Sequence, residues 1–251
     1  MSVQKLVECI RQKNNPTVAG LDARLEYIPG FIVTQCIERY GETLEAAAAA
    51  MQQFNVSLID ALHDIVPAIK PQAAYYELLG PAGAKVLKHT IDYAHEKGMY
   101  VIADIKRNDI GATASAYAEA YLGCTKVGGK ELPVYDADSC TVNAYLGTDG
   151  IEPFLKECRA REKSIYILVK TSNPSSGEFQ NRDMEGKPLY VRVAEQFEKW
   201  SEGLDTASGY NQVGAVVGAT YPEEQKIIRS IIPKAYFLVP GYGAQGATAK
   251  D

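Results

Sequence analysis

The chain has 251 residues, 46% apolar and 23% charged, an ordinary globular balance that excludes general disorder and leaves room for one large core. A net charge of -5 with scattered Lys and Arg gives no basic footprint for nucleic acid, and no run of 18 uncharged apolar residues offers a membrane span. Five widely spaced cysteines without a C-x-x-C pair, and three histidines without a close Cys/His grouping, argue against a disulfide framework or zinc; reduced thiols and a cytoplasmic location are expected.

In chain order, the first apolar run of strand length is Val18 to Leu21. It ends in Asp22, which could accept from a sugar hydroxyl or cap the next segment. A helical pattern covers Leu44 to Leu62. A second strand, Ile65 to Ile69, ends in Lys70-Pro71, where the proline biases Lys70 toward an extended conformation and stops the ladder. The helical stretch Ala82 to Lys97 leads to a third strand, Tyr100 to Ile105, whose apolar run carries Asp104 and is followed by Lys106 and Asp109.

Side chains two apart on a strand share a face, so Asp104 and Lys106 are expected to point the same way, with Asp109 in the loop beyond. Charges at the mouth of an apolar strand cost desolvation free energy unless they are paired or used. Lys70 could be brought beside them from its own strand. Two lysines and two aspartates placed alternately would destabilise a substrate anion pressed against one aspartate; an ordinary ion-pair network is the competing reading.

Thr113 to Leu122 has helical spacing. Strands follow at Ser139 to Val142, ending in Asn143, and at Ile165 to Val169, ending in Lys170-Thr171-Ser172. The turn-rich stretch Asn173 to Pro188 is a candidate lid, or a plain surface excursion. The helical Pro188 to Trp200 precedes a strand at Val213 to Val217, and Pro222 to Ile231 precedes the seventh, Tyr236 to Val239, which ends in Pro240-Gly241.

Seven strands with helical stretches between them, and continuous apolar runs, imply parallel strands covered on both sides. Polar endings on every strand fit a (β/α)8 TIM barrel, with its site at the C-terminal strand ends, better than an open sheet. A single domain over residues 1–251 is expected, with the eighth strand beyond the chain as given. Gly241 to Gly246 fits G-x-G-x-x-G, but it lies in the last unit behind Pro240 and before any acidic ribose ligand. A phosphate-gripping loop is the better reading. Gly128-Gly129-Lys130 is no P-loop, because Glu131 follows.

Asp22, Lys70 to Glu77, Ala103 to Gly111 with its D-x-K-x-x-D spacing, Lys170 to Pro174 and Pro240 to Gly243 together resemble the orotidine 5'-phosphate decarboxylase family, in its longer bacterial subgroup, over nearly the whole chain. The resemblance implies decarboxylation of orotidine 5'-monophosphate to UMP without metal or organic cofactor. It implies that Lys106 protonates C6, that Asp104 faces the leaving carboxylate, and that Lys70 holds Asp104 and contacts the ribose. Asp22 would bind ribose hydroxyls, Ser172 would read the pyrimidine edge, and Pro240, Gly241, Gly243 and Gln245 would close over the phosphate. A homodimer would share its sites, with Asp109, Ile110 and Thr113 entering the neighbour's pocket. The family's phosphate-binding arginine after the eighth strand has no counterpart here and is expected past Asp251. The D-x-K-x-x-D spacing is shared with sugar-phosphate decarboxylases and aldolases of the same superfamily, which hold an enediolate on Mg²⁺. A phosphoribosyl-binding protein without catalysis is the third reading.

Overall fold

A computed structural model of the chain describes residues 2–242, which fall into two compact units. One unit comprises residues 5–105 and 120–139. After α1 (Ser2–Lys13), strands β1 (Val18–Leu21), β2 (Ala68–Pro71) and β3 (Tyr100–Arg107) run parallel, with Gly20 opposite Lys70 and Ile69 opposite Val101. Helices α2 (Gly30–Tyr40) and α3 (Leu44–Leu62) connect β1 to β2, and α4 (Ala73–Glu77) and α5 (Gly80–Glu96) connect β2 to β3. Every residue of β3 from Tyr100 to Ile105 is buried, which is why this strand reads as a continuous apolar run rather than an alternation. Thr43 caps α3 by accepting the Ala46 N–H at 3.2 Å. α5 approaches α4 so closely that a Cβ on Gly83 would stand 1.8 Å from the Tyr76 carbonyl oxygen, so only glycine fits there.

The second strand begins three residues later than its apolar run suggests. The Ile65 and Val66 N–H groups still bond back to Leu62 O in the turn that closes α3, and Pro67 has no N–H for a ladder. Between α6 (Gly111–Tyr121) and the next barrel strand, β4 (Cys124–Val127) and β5 (Lys130–Pro133) form an antiparallel hairpin. Its turn is Gly128-Gly129, with Gly128 at φ +59°. The glycines that failed as a phosphate loop are a hairpin turn.

A largely buried carboxylate locks this unit. Asp138 takes the Val101 N–H at 2.9 Å, Lys5 Nζ at 3.1 Å and His95 Nε2 at 2.9 Å. Burial by itself would raise its pKa, but the His95 hydrogen bond, the charges of Lys5 and His95, and the Val101 N–H outweigh that and hold it below its ordinary 3.8. A carboxyl depressed on folding contributes stability that is present above its unfolded pKa and lost as pH falls through the lower folded value. The melting temperature of the protein should therefore fall more steeply below about pH 4 than that of Asp138→Asn, which has no such proton to take up. Parallel melting curves for the two proteins across that range would contradict this.

The other unit comprises residues 1–4, 106–119 and 140–251. It contains most of β6 (Ser139–Val142), then α7 (Thr148–Arg161), β7 (Ser164–Lys170), and a two-residue hairpin of β8 (Asp183–Met184) and β9 (Lys187–Pro188). Next come α8 (Leu189–Glu195), α9 (Phe197–Trp200), β10 (Val213–Val217), α10 (Pro222–Ile231) and β11 (Phe237–Leu238). β7, β10 and β11 pair in parallel, with Ala215 opposite both Ile167 and Phe237 and a register shift between Val216 and Val217. The continuous helix expected over Pro188 to Trp200 is broken at Gln196, whose N–H turns to Val193 O in a tighter bond. Seven parallel-type strands in β/α succession thus lie among the described residues.

Candidate active site

Within the first unit, three of the expected site residues meet at the strand ends. Lys70 Nζ lies 2.8 Å from Asp104 Oδ2 and 3.6 Å from Asp22 Oδ1. The three side chains form a gradient of exposure, 7% for Asp104, 18% for Lys70 and 49% for Asp22. The parallel register explains the meeting, because Lys70 stands opposite Gly20, two residues before Asp22, and Gln72 bridges to Asp104. Asp22 is not a helix cap: the 3-10 turn Leu25–Tyr27 that follows is preceded by Arg24 and has no side-chain cap.

Gln72 was not among the expected site residues. Its Nε2 donates to the same Asp104 Oδ2 at 3.0 Å while its Oε1 accepts the Ala74 N–H at the start of α4. One amide therefore fixes both the carboxylate and the helix behind it. Its position two beyond Lys70 on an extended segment is the signal that could have found it.

In the second unit, Lys106 has φ +49°, a left-handed conformation rare for a lysine, and its N–H donates to the buried Thr141 Oγ1 at 2.9 Å. The regular pleat is interrupted at this residue, so strict alternation from Asp104 does not fix the direction of its side chain. Backbone strain of this kind costs on the order of 1–3 kcal/mol and clusters at functional sites. Asp109 lies in the loop before α6 and accepts the Ile110 N–H at 2.8 Å. Ile110 is 58% exposed and Thr113 is also exposed.

The ends of β7, β10 and β11 are tied to one another. The Gly218 N–H donates to Lys170 O at 2.7 Å, Thr220 Oγ1 to Ser172 O at 3.2 Å, and the Ala219 N–H to Pro240 O at 2.8 Å. The Ser172 hydroxyl makes no hydrogen bond with the described residues. Gly241 has φ +100°, which favours glycine at the start of the expected phosphate loop; Gly243 and Gln245 lie outside the described residues. A Cβ on Gly218 would come within 2.7 Å of Ser172 Cα, so Gly218→Ala should push Ser172 aside. Substrate turnover should fall about 100-fold, read as kcat/KM, while Gly129→Ala, in the exposed β4–β5 turn with open space where its Cβ would go, should leave it within about twofold.

The Asn173 to Pro188 stretch is organised rather than bare loop. It contains a 3-10 turn at Pro174–Glu178 and the small β8–β9 hairpin. Gln180 grips Thr171 by accepting its N–H at 2.9 Å and donating to its hydroxyl at 2.7 Å.

Against known proteins, residues 44–251 match the family model described as Orotidine 5'-phosphate decarboxylase / HUMPS family. An orotidine 5'-phosphate decarboxylase of Rhodopirellula baltica is 44% identical over 247 residues, covering 98% of this chain and 80% of that protein. The solved OMP decarboxylase of Leishmania donovani is 32% identical with a TM-score of 0.72, covering 96% of this chain and 80% of that one. The orotidine 5'-monophosphate decarboxylase of Plasmodium berghei is 25% identical with a TM-score of 0.77, covering 96% and 84%. The fold class is the (β/α)8 barrel, with seven strands among the described residues.

Proposed function

The chain belongs to the orotidine 5'-phosphate decarboxylase / HUMPS family, and from this premise we infer that it converts orotidine 5'-monophosphate to UMP and CO2, a carboxy-lyase step of pyrimidine synthesis. The bond from C6 to the carboxylate breaks, its electron pair stays on C6 in the plane of the ring, and a proton takes the vacated position. That pair lies across the π system and is not delocalised into it. The chemistry therefore needs a cation and proton donor beside C6, and an ammonium there stabilises the transition state more than the ground state.

Lys106 is that donor in this reading. The family resemblance supports it, as do its place two residues beyond Asp104 and its strained backbone fixed by Thr141. Asp104, paired with Lys70 and Gln72, faces the substrate carboxylate and opposes its ground state. Asp22 and Lys70 bind the ribose, Ser172 reads the pyrimidine, and the segment from Pro240 through Gly241, Gly243 and Gln245 receives the phosphate. No metal or organic cofactor enters the reading. A homodimer completes each site with Asp109, Ile110 and Thr113, and the exposure of Ile110 and Thr113 on this chain supports that use. A cytoplasmic location fits the metabolic role; among the described residues no helix is long and apolar enough to cross a membrane.

The observation that carries the reading is the Asp22, Lys70, Asp104 and Gln72 cluster in a chain of this family. Mixing the protein with orotidine 5'-monophosphate and following the loss of pyrimidine absorbance tests it. Steady conversion to UMP in the presence of EDTA is expected, and absence of conversion by a dimer would overturn it. The relatives named above are all orotidine decarboxylases by name, which favours this reading over the sugar-phosphate alternative.

A further inference from the structure

Lys170, the last residue of β7, is fully buried. Its ammonium donates to Asn181 Oδ1 at 2.8 Å and to Ser176 Oγ at 3.1 Å, and it lies 4.2 Å from the centre of the Tyr221 ring. Among the described residues no carboxylate pairs with it. Neutral oxygens and an aromatic face recover only part of what dehydrating an ammonium costs, and an apolar side chain of similar length would fill the space at less cost. Stability alone does not account for a lysine at this position.

The ties themselves point to a purpose. Ser176 and Asn181 belong to the excursion that leaves the strand directly after Ser172, so the ammonium draws that excursion back onto the strand end. Gln180, from the same excursion, holds Thr171 at both its N–H and its hydroxyl. On the opposite side Thr220 donates to the Ser172 carbonyl, and Tyr221 donates to the Asn173 carbonyl at 3.3 Å. Ser172 is thereby clamped through its backbone from two directions, and its hydroxyl is left to a ligand.

We propose that Lys170 is a positioning residue: its buried ammonium turns the 173–182 excursion into a fixed brace that sets the Ser172 hydroxyl for the pyrimidine, instead of a lid that swings. The proposal rests on the reading of Ser172 as the pyrimidine contact. Asn181 is exposed, so Asn181→Ala removes one tie without opening the core, and Lys170→Met removes the charge at similar size.

The test places each substitution in the parent and in a Ser172→Ala background, with kcat and KM for orotidine 5'-monophosphate and amide exchange of residues 171–172 as readouts. Each should lower kcat/KM about tenfold in the parent, mainly through KM, and less than about twofold when Ser172 is already alanine, because coupled residues are not additive. Exchange at 171–172 should quicken. Equal losses in both backgrounds, or no loss with unchanged exchange, would overturn the proposal. If the parent does not turn over the substrate, the decarboxylase reading falls. Exchange then decides alone: faster exchange in the variants supports the brace, and unchanged exchange overturns it.

Discussion

Replacing Lys106 with methionine should lower turnover of orotidine 5'-monophosphate by about 10⁴-fold or more, while UMP binding stays within about tenfold of the parent. The substitution removes the proton donor and the cation facing the developing pair on C6; general acids contribute on the order of 10²–10⁴-fold and fixed charges a similar amount. UMP carries no carbanion, so it should feel the change far less. The backbone at Lys106 is held by its own N–H to Thr141, a bond the new side chain does not disturb, so the fold should persist. Isothermal titration with UMP beside the turnover assay reads both quantities. Retained turnover would remove Lys106 from the chemistry, and loss of UMP binding would make its role one of ground-state affinity.

Lys70→Met should be costly in a different way. Asp104 is almost fully buried and would lose the ammonium 2.8 Å away, keeping only part of its donor set. Removing one partner of a buried pair leaves the other charge less compensated, at a cost of roughly 3 kcal/mol. In a chain of this length that corresponds to a fall in melting temperature of roughly 6–12 °C. Activity should fall about 100-fold or more, because a carboxylate no longer held in place is misdirected. Adding Asp104→Asn to Lys70→Met should restore most of the melting temperature, since the carboxylate that lost its ammonium at 2.8 Å is then neutral, yet restore no activity. Strictly additive losses in the double variant would mean that the pair is not coupled.

The sequence carried most of the information wherever one physical rule dominated. Val18–Leu21, Ser139–Val142 and Val213–Val217 stand at their expected bounds, Val213–Val217 because a strand buried at every residue leaves an uninterrupted apolar signature. Leu44–Leu62 and Pro222–Ile231 do so because a capping threonine and an N-terminal proline mark their starts. Where rules compete, the sequence is ambiguous. The helix Thr148–Arg161 was missed because Gly147, Gly150 and Pro153 crowd its start, although a proline near a helix start forfeits few bonds. α2 and the short α4 were missed with it.

The site shows the same division. Lys70 and Asp104 stand out in the sequence because charge beside an apolar run needs a reason. Gln72 carries no charge, and its double use, toward Asp104 and toward Ala74, appears only in three dimensions. Alternation along β3 predicts nothing at Lys106, where the backbone is left-handed. Nor could spacing reveal that Lys170 would be buried with its ammonium on the neutral oxygens of Ser176 and Asn181 and against the Tyr221 ring, since those oxygens lie 6 and 11 residues away in a segment that resembles loose loop.

The central claim, that a lysine of this chain delivers the proton that replaces CO2 on C6, is tested most directly by running the reaction in D2O with EDTA present and analysing the UMP by NMR. The account predicts UMP with deuterium at C6, in amount equal to the CO2 released, from the parent protein, and no product above background from Lys106→Met. UMP formed equally fast by Lys106→Met, or formed only when Mg²⁺ is restored, would contradict it.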